Sequence, residues 1–187
     1  TDSSGSGENG NTVTQSNTGG IVGGFENSSY ASVSQCAYSG TITTSGTGAF
    51  INLGGIVGIA GTISNCTTSG AINMAGGRME NVGGIAGRVY SSTTNCISNM
   101  SITLNSNANK YGISNIQYVG GLVGNGVTIT NCTTNGTITA SASNSFDSYY
   151  AQINYVGGLV GTAYTISSSS ASGAINIKSG KGAQYVG

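Results

Sequence analysis

Tyr118-Val119-Gly120-Gly121-Leu122-Val123-Gly124 decides the fold, because the chain repeats it. Gly19-Gly20-Ile21-Val22-Gly23, Gly54-Gly55-Ile56-Val57-Gly58, Gly83-Gly84-Ile85-Ala86-Gly87 and Gly157-Gly158-Leu159-Val160-Gly161 are further copies, and Tyr185-Val186-Gly187 opens another. The Gly-Gly pairs start at 19, 54, 83, 120 and 157, so the steps are 35, 29, 37 and 37 residues. A period of this length in a weakly charged chain is the mark of a solenoid.

A second marker keeps the same beat. Cys36, Cys66, Cys96 and Cys132 each close a short polar phrase such as Thr130-Asn131-Cys132, and Ser169 takes the equivalent place in the fifth copy. Six residues after each comes an isoleucine: Ile42, Ile72, Ile102, Ile138 and Ile175. Each repeat therefore predicts three short strands. The first is centred on Gly-Ile/Leu-Val-Gly, the second leads into the cysteine, and the third alternates small polar and apolar residues around the isoleucine. The expected fold is all-β: a parallel β-helix (β-solenoid) of about five coils, three short strands per coil, with open ends. Residues 1–18 are small and polar, and the expectation is a flexible lead-in. The coils fall at about 19–43, 44–74, 75–104, 105–140 and 141–177, with a partial coil at 178–187.

Stacking at about 4.8 Å per coil would place equivalent residues above one another. The five isoleucines would form one inward ladder. Ile21, Ile56, Ile85, Leu122 and Leu159 would form a second, and the cysteines with Ser169 part of a third. Length varies only between the third strand and the next Gly-Gly, which predicts loops along one edge. The two longest carry Tyr111, Phe146, Tyr149 and Tyr150, candidate residues of an adhesive surface, since aromatic faces suit sugars and protein interfaces.

Recurring Gly-Gly-Ile/Leu-Val-Gly, then Asn-Cys, then Gly-x-Ile resembles the GLUG-motif repeats of secreted and surface proteins, including adhesin-like proteins. The resemblance covers residues 19–177 and implies an extracellular or cell-surface β-solenoid. It supplies no catalytic residues.

The composition bounds the function. Five basic and five acidic side chains cancel, and there is no histidine. Five scattered cations make no stripe for phosphates, so nucleic acid is not an expected partner. No apolar run is long enough to span a membrane as a helix. Glycoside hydrolysis needs two carboxylates at a set separation, and the acids fall at unrelated phases of the repeat. Nucleophilic catalysis needs a base that a histidine-free chain lacks in its commonest form. The expectation is a protein that is not an enzyme and needs no cofactor.

Four cysteines in a secreted chain admit two readings: a buried ladder of thiols, each packing as a small hydrophobe, or bridges between neighbouring coils, Cys36–Cys66 and Cys96–Cys132. A metal site is not expected without C-x-x-C spacing. Asn65, Asn95 and Asn131 before the cysteines predict an amide ladder at a corner with the amides turned inward. Of the Asn-x-Ser/Thr sequons, Asn27 and Asn135 are then the candidates for N-glycosylation.

Thr1 is not a methionine, which suggests a processed product or a segment of a longer chain. Gln184, Tyr185, Val186 and Gly187 begin a coil without completing it, and nothing near either end resembles a polar cap. The functional expectation is a subunit or segment of a surface fibre, assembled end to end or continued by flanking repeats. The alternative is an adhesin that binds host or neighbouring glycans or proteins through the tyrosine-rich loops.

Overall fold

The computed structural model describes residues 16–25, 27–46, 48–108, 114–144, 151–180 and 182–187. They form a three-sided parallel β-helix. The first face stacks Thr18–Gly19, Phe50–Gly54, Met79–Gly83, Ser114–Gly120, Ala151–Gly157 and Ala183–Val186 in chain order. The second comprises Ser32–Ser34, Val57–Ser64, Ala86–Thr94, then Val123–Asn125 with Thr128–Thr130, and Val160–Thr162 with Thr165–Ser167. The third comprises Ala37–Ser45, Thr67–Gly76, Ile97–Ala108, then Thr133–Thr134 with Ile138–Asn144, and Ser170–Ala171 with Ile175–Ser179. Every named pairing is parallel, between one coil and the next.

Register follows the repeat. Ile42, Ile72, Ile102, Ile138 and Ile175 are direct partners in sequence. The middle three are fully buried, while Ile42 and Ile175 at the ends are half-buried. This ladder packs against Leu53, Val82, Val119 and Val156 of the first face. A second core gathers Ile56, Ile85 and Leu122 with Ile63, Ile129 and the cysteines. Ile21, expected in that ladder, is 48% exposed and lies in the first described coil.

Two expectations are corrected. The Gly-Ile/Leu-Val-Gly phrase is a corner rather than the centre of a strand. The first-face strand stops on the leading glycine (Gly54, Gly83, Gly120, Gly157), and the second face starts at Val57, Ala86, Val123 or Val160. The glycine pair is required because backbones meet there: a Cβ on Gly84 would lie 2.2 Å from the Gly121 carbonyl oxygen and 2.0 Å from Ser98 Oγ. The variable stretches, in turn, are not loops alone. The third-face strand runs on into them, with Asn105 opposite Ser141 and Asn107 opposite Ser143, and the next first-face strand starts inside them. Added length extends two ladders before it reaches the corner. Tyr111, Phe146, Tyr149 and Tyr150 lie outside the described residues.

The first coil starts earlier than the repeat suggests. Thr18 and Gly19 pair with Leu53 and Gly54, and the Ile51 amide donates to Ser16 Oγ.

The four cysteines are free thiols, with Cys66, Cys96 and Cys132 fully buried. Their stacking has a polar component. The Cys66 amide donates to Cys96 Sγ at 3.4 Å, and the Cys132 amide donates to Ser169 Oγ at 3.0 Å. Serine serves at 169 because the position needs a small side chain that accepts from the coil below. Burial pushes the Cys66 thiol above its usual range. Contact between the next two thiols, together with burial, pushes Cys96 up, and the same contact holds Cys132 down.

The amide ladder exists but faces outward. Asn65, Asn95 and Asn131 are exposed, with φ of 52°, 54° and 54°. Asn95 Nδ2 donates to Asn65 Oδ1 at 3.3 Å, and Asn131 Nδ2 donates to Asn95 Oδ1 at 2.7 Å. The inward placement expected from the sequence fails because the corner residue is in the left-handed conformation, which directs its side chain away from the core. Asparagine tolerates that conformation better than most residues.

Candidate binding groove

A second left-handed position recurs two residues before the glycine pairs at 54, 83, 120 and 157, and again before Gly187. Asn52, Asn81, Tyr118, Tyr155 and Tyr185 occupy it, with φ between 54° and 57°. The first three coils carry asparagine here. Asn52 Nδ2 donates to Asn17 Oδ1 at 2.9 Å, and Asn81 Nδ2 donates to Asn52 Oδ1 at 2.8 Å. The later coils carry tyrosine. Tyr118 stacks on Tyr155 with ring centroids 5.0 Å apart, and Tyr155 on Tyr185 at 4.8 Å. Those separations match the strand spacing, so the backbone ladder sets the stack.

The left-handed residue bends the first-face strand, and the second face closes on it. Gly87 makes the approach possible, since a Cβ there would lie 2.5 Å from the Asn81 carbonyl oxygen and from the Leu53 nitrogen. Outside this junction lies a groove of about 250 Å³, bounded by first-face Ile51 and Glu80 and second-face Ile59, Arg88 and Tyr90. Arg78 and the ladder amides Asn52 and Asn81 complete its lining.

Three of the chain's ten charged side chains converge here. Arg78 pairs with Glu80 at a partly exposed site. The Arg88 guanidinium lies 4.9 Å from the Tyr90 ring centroid, within cation–π range. Two buried polar atoms of the lining, Asn81 Oδ1 and Arg78 Nε, have no hydrogen-bond partner. The arrangement is suited to holding a polar ligand, with donors and acceptors both on offer.

The expected site residues are dispersed. Asn27 is exposed in a turn where its carbonyl accepts from the Tyr30 amide at 3.0 Å. Asn135 is also exposed, but its amide is engaged: Nδ2 donates to Asn99 Oδ1, and Oδ1 accepts from Ser172 Oγ. Gln184, Tyr185 and Val186 lie in the last first-face strand, where Ala183 pairs with Ile153 and Val186 with Val156. Gly187 adds two backbone bonds, to Gly158 and Val156. Next to them Leu159, Val160, Ile166, Ala171 and Ile175 line an open hollow of about 330 Å³ at the C-terminal end of the stack.

Sequence reasoning missed the groove because it treated the charges as scattered. Arg78, Glu80 and Arg88 flank the third Gly-Gly, and the corner folds that flank onto itself. Their closeness in sequence was the available signal. The tyrosine stack was also legible, in the repeated Tyr-Val-Gly-Gly.

Comparison of the chain with protein-family models, with curated proteins and with solved structures returned no match. Among the described residues, no helix is long and apolar enough to cross a membrane.

Proposed function

We propose that this chain is a non-enzymatic structural repeat module of an extracellular surface fibre, lengthened by coils added at the solenoid ends. One observation carries the reading. The C-terminal end presents parallel strand edges in register beside an apolar hollow, with Tyr185 69% and Val186 44% exposed. Such an edge is a template for another strand, and natural sheets cover or blunt it. A further coil, from flanking repeats or from a second copy, would bury Leu159 and Ile175 as the inner coils bury Leu122 and Ile138. It would also place a ring on Tyr185.

The resemblance to GLUG-motif repeats supports the extracellular surface location. The weakly charged, hydroxyl- and amide-rich composition suits a structural role that involves neither nucleic acid nor membrane insertion. No catalytic residues or cofactor form part of this reading. The adhesive alternative through Tyr111, Phe146, Tyr149 and Tyr150 rests on residues outside those described.

Electron microscopy of the purified chain tests the proposal. The expected result is filaments whose axial repeat is near five coil steps, about 24 Å. Val186→Lys, which charges the exposed edge, should stop filament growth and leave the far-UV circular dichroism unchanged. Isolated rods at all concentrations, or filaments indifferent to Val186→Lys, would overturn end-to-end assembly.

A further inference from the structure

We propose that the groove at Glu80, Asn81 and Arg88 binds an acidic saccharide, a sugar ring bearing a carboxylate. The site lies on the flank of the solenoid and does not depend on how its ends are covered.

The first ground is the way the asparagine ladder stops. Each amide in it donates down and accepts from above. Above Asn81 stands Tyr118, which has no amide to donate, so Asn81 Oδ1 is left without a donor in a residue only 3% exposed. A buried acceptor in that state favours whatever brings it a donor. A hydroxyl is the smallest neutral donor a ligand brings, and seating one against Asn81 requires the groove wall to give, since the residue is almost wholly covered.

The second ground is charge. Among the described residues Arg88 has no carboxylate within ion-pair distance, and its guanidinium is held against Tyr90. A guanidinium so placed offers a planar fork to a carboxylate. Glu80, already paired with Arg78, has remaining oxygen lone pairs to accept a hydroxyl, and Arg78 Nε is a donor without an acceptor. The lining thus asks for a carboxylate, at least one hydroxyl donor and one hydroxyl acceptor on a small rigid body. A uronic-acid-type ring carries all three. The lining comes from two successive coils, Ile51 to Ile59 and Arg78 to Tyr90, and its volume of about 250 Å³ suits a ring of this size.

Titration calorimetry with trigalacturonate tests the assignment. Saturable binding is expected, and the methyl-esterified trisaccharide and neutral galactotriose should bind roughly tenfold or more weakly. Arg88→Gln should weaken trigalacturonate binding to a similar degree. Lys178→Gln, the same charge change on the third face, should not. Tyr118→Asn supplies an amide donor to Asn81 Oδ1 from within the protein and should also weaken binding, with the circular dichroism spectrum unchanged. Four results would overturn the proposal: no saturable binding, equal binding of the neutral trisaccharide, tighter binding of a glutamate-rich peptide, or a folded Arg88→Gln variant that binds like wild type.

Discussion

Asn81 Nδ2 donates to Asn52 Oδ1 at 2.8 Å, and Asn81 Oδ1 receives nothing in return. One position of the repeat thereby changes its means of cohesion midway along the rod. Below Asn81 neighbouring coils are joined by side-chain amides; above it they are joined by stacked phenol rings. Both rows rise from the same left-handed position of the repeat.

The amide half of the ladder should respond to backbone strain as well as to lost hydrogen bonds. Asn52 has φ of 57° and is bonded on both sides. Asn52→Ala loses both bonds and forces a Cβ-bearing residue without a compensating amide into the left-handed region, at a cost of about 2–4 kcal/mol. Asn52→Gly keeps the backbone free of strain and should cost about half as much. Urea unfolding of the two variants measures the difference, and equal losses would mean that φ is not the controlling factor.

Gly84→Ala should be among the most damaging single-methyl changes in the chain. The added carbon would lie 2.2 Å from the Gly121 carbonyl oxygen, a backbone atom of the next coil. Gly48→Ala, where the added carbon meets nothing within 4 Å, is the control. A thermal melt should show a large drop for the first and little change for the second.

Position along the rod should scale the cost of a core truncation. Ile102→Ala opens a cavity enclosed by coils on both sides and should cost about 2–5 kcal/mol. Ile175→Ala removes the same atoms from a half-buried site and should cost less. Denaturant titration would decide; equal costs would mean that the terminal coil is as well packed as the centre.

The cysteine ladder gives a pH signature. Burial raises the folded pKa of Cys66 above its ordinary value of 9.0. Below pH 9 the thiol is neutral in both states and its burial contributes in full. As the pH rises past 9 the unfolded chain releases the proton and the folded chain retains it, so the contribution falls. The stability advantage of wild type over Cys66→Ala should therefore be constant from pH 6 to 8 and shrink above about pH 9. A pH series of urea midpoints for the two proteins would show it, and a parallel pair of curves would contradict it.

Much of this architecture was legible in the chain. The isoleucines after each cysteine, the Gly-Gly beat and the alternation around Ile72 or Ile138 specify stacked parallel coils, because one coil cannot bury its apolar residues without a neighbour. Ser169 in place of a cysteine already marked that position as needing a small side chain. The groove was harder to see. Arg78, Glu80 and Arg88 stand at different phases of the repeat, and only one coil carries all three. Periodicity, which averages over coils, discards a feature present in one of them.

The sequence by itself therefore determined the period, the parallel register and the identity of the inward ladders, since these follow from repeated local patterns and the need to bury them together. The tertiary structure decided which way the corners turn their side chains. Left-handed backbone at Asn95 and Asn81 sends one amide row into solvent and seats the other against a groove, and glycines at 84 and 87 let two faces close until Glu80 and Arg88 share it. A φ value, and a neighbouring backbone close enough that a Cβ on Gly87 would lie 2.5 Å from it, are properties of the packed coil; no single repeat, taken alone, contains the neighbour that imposes them.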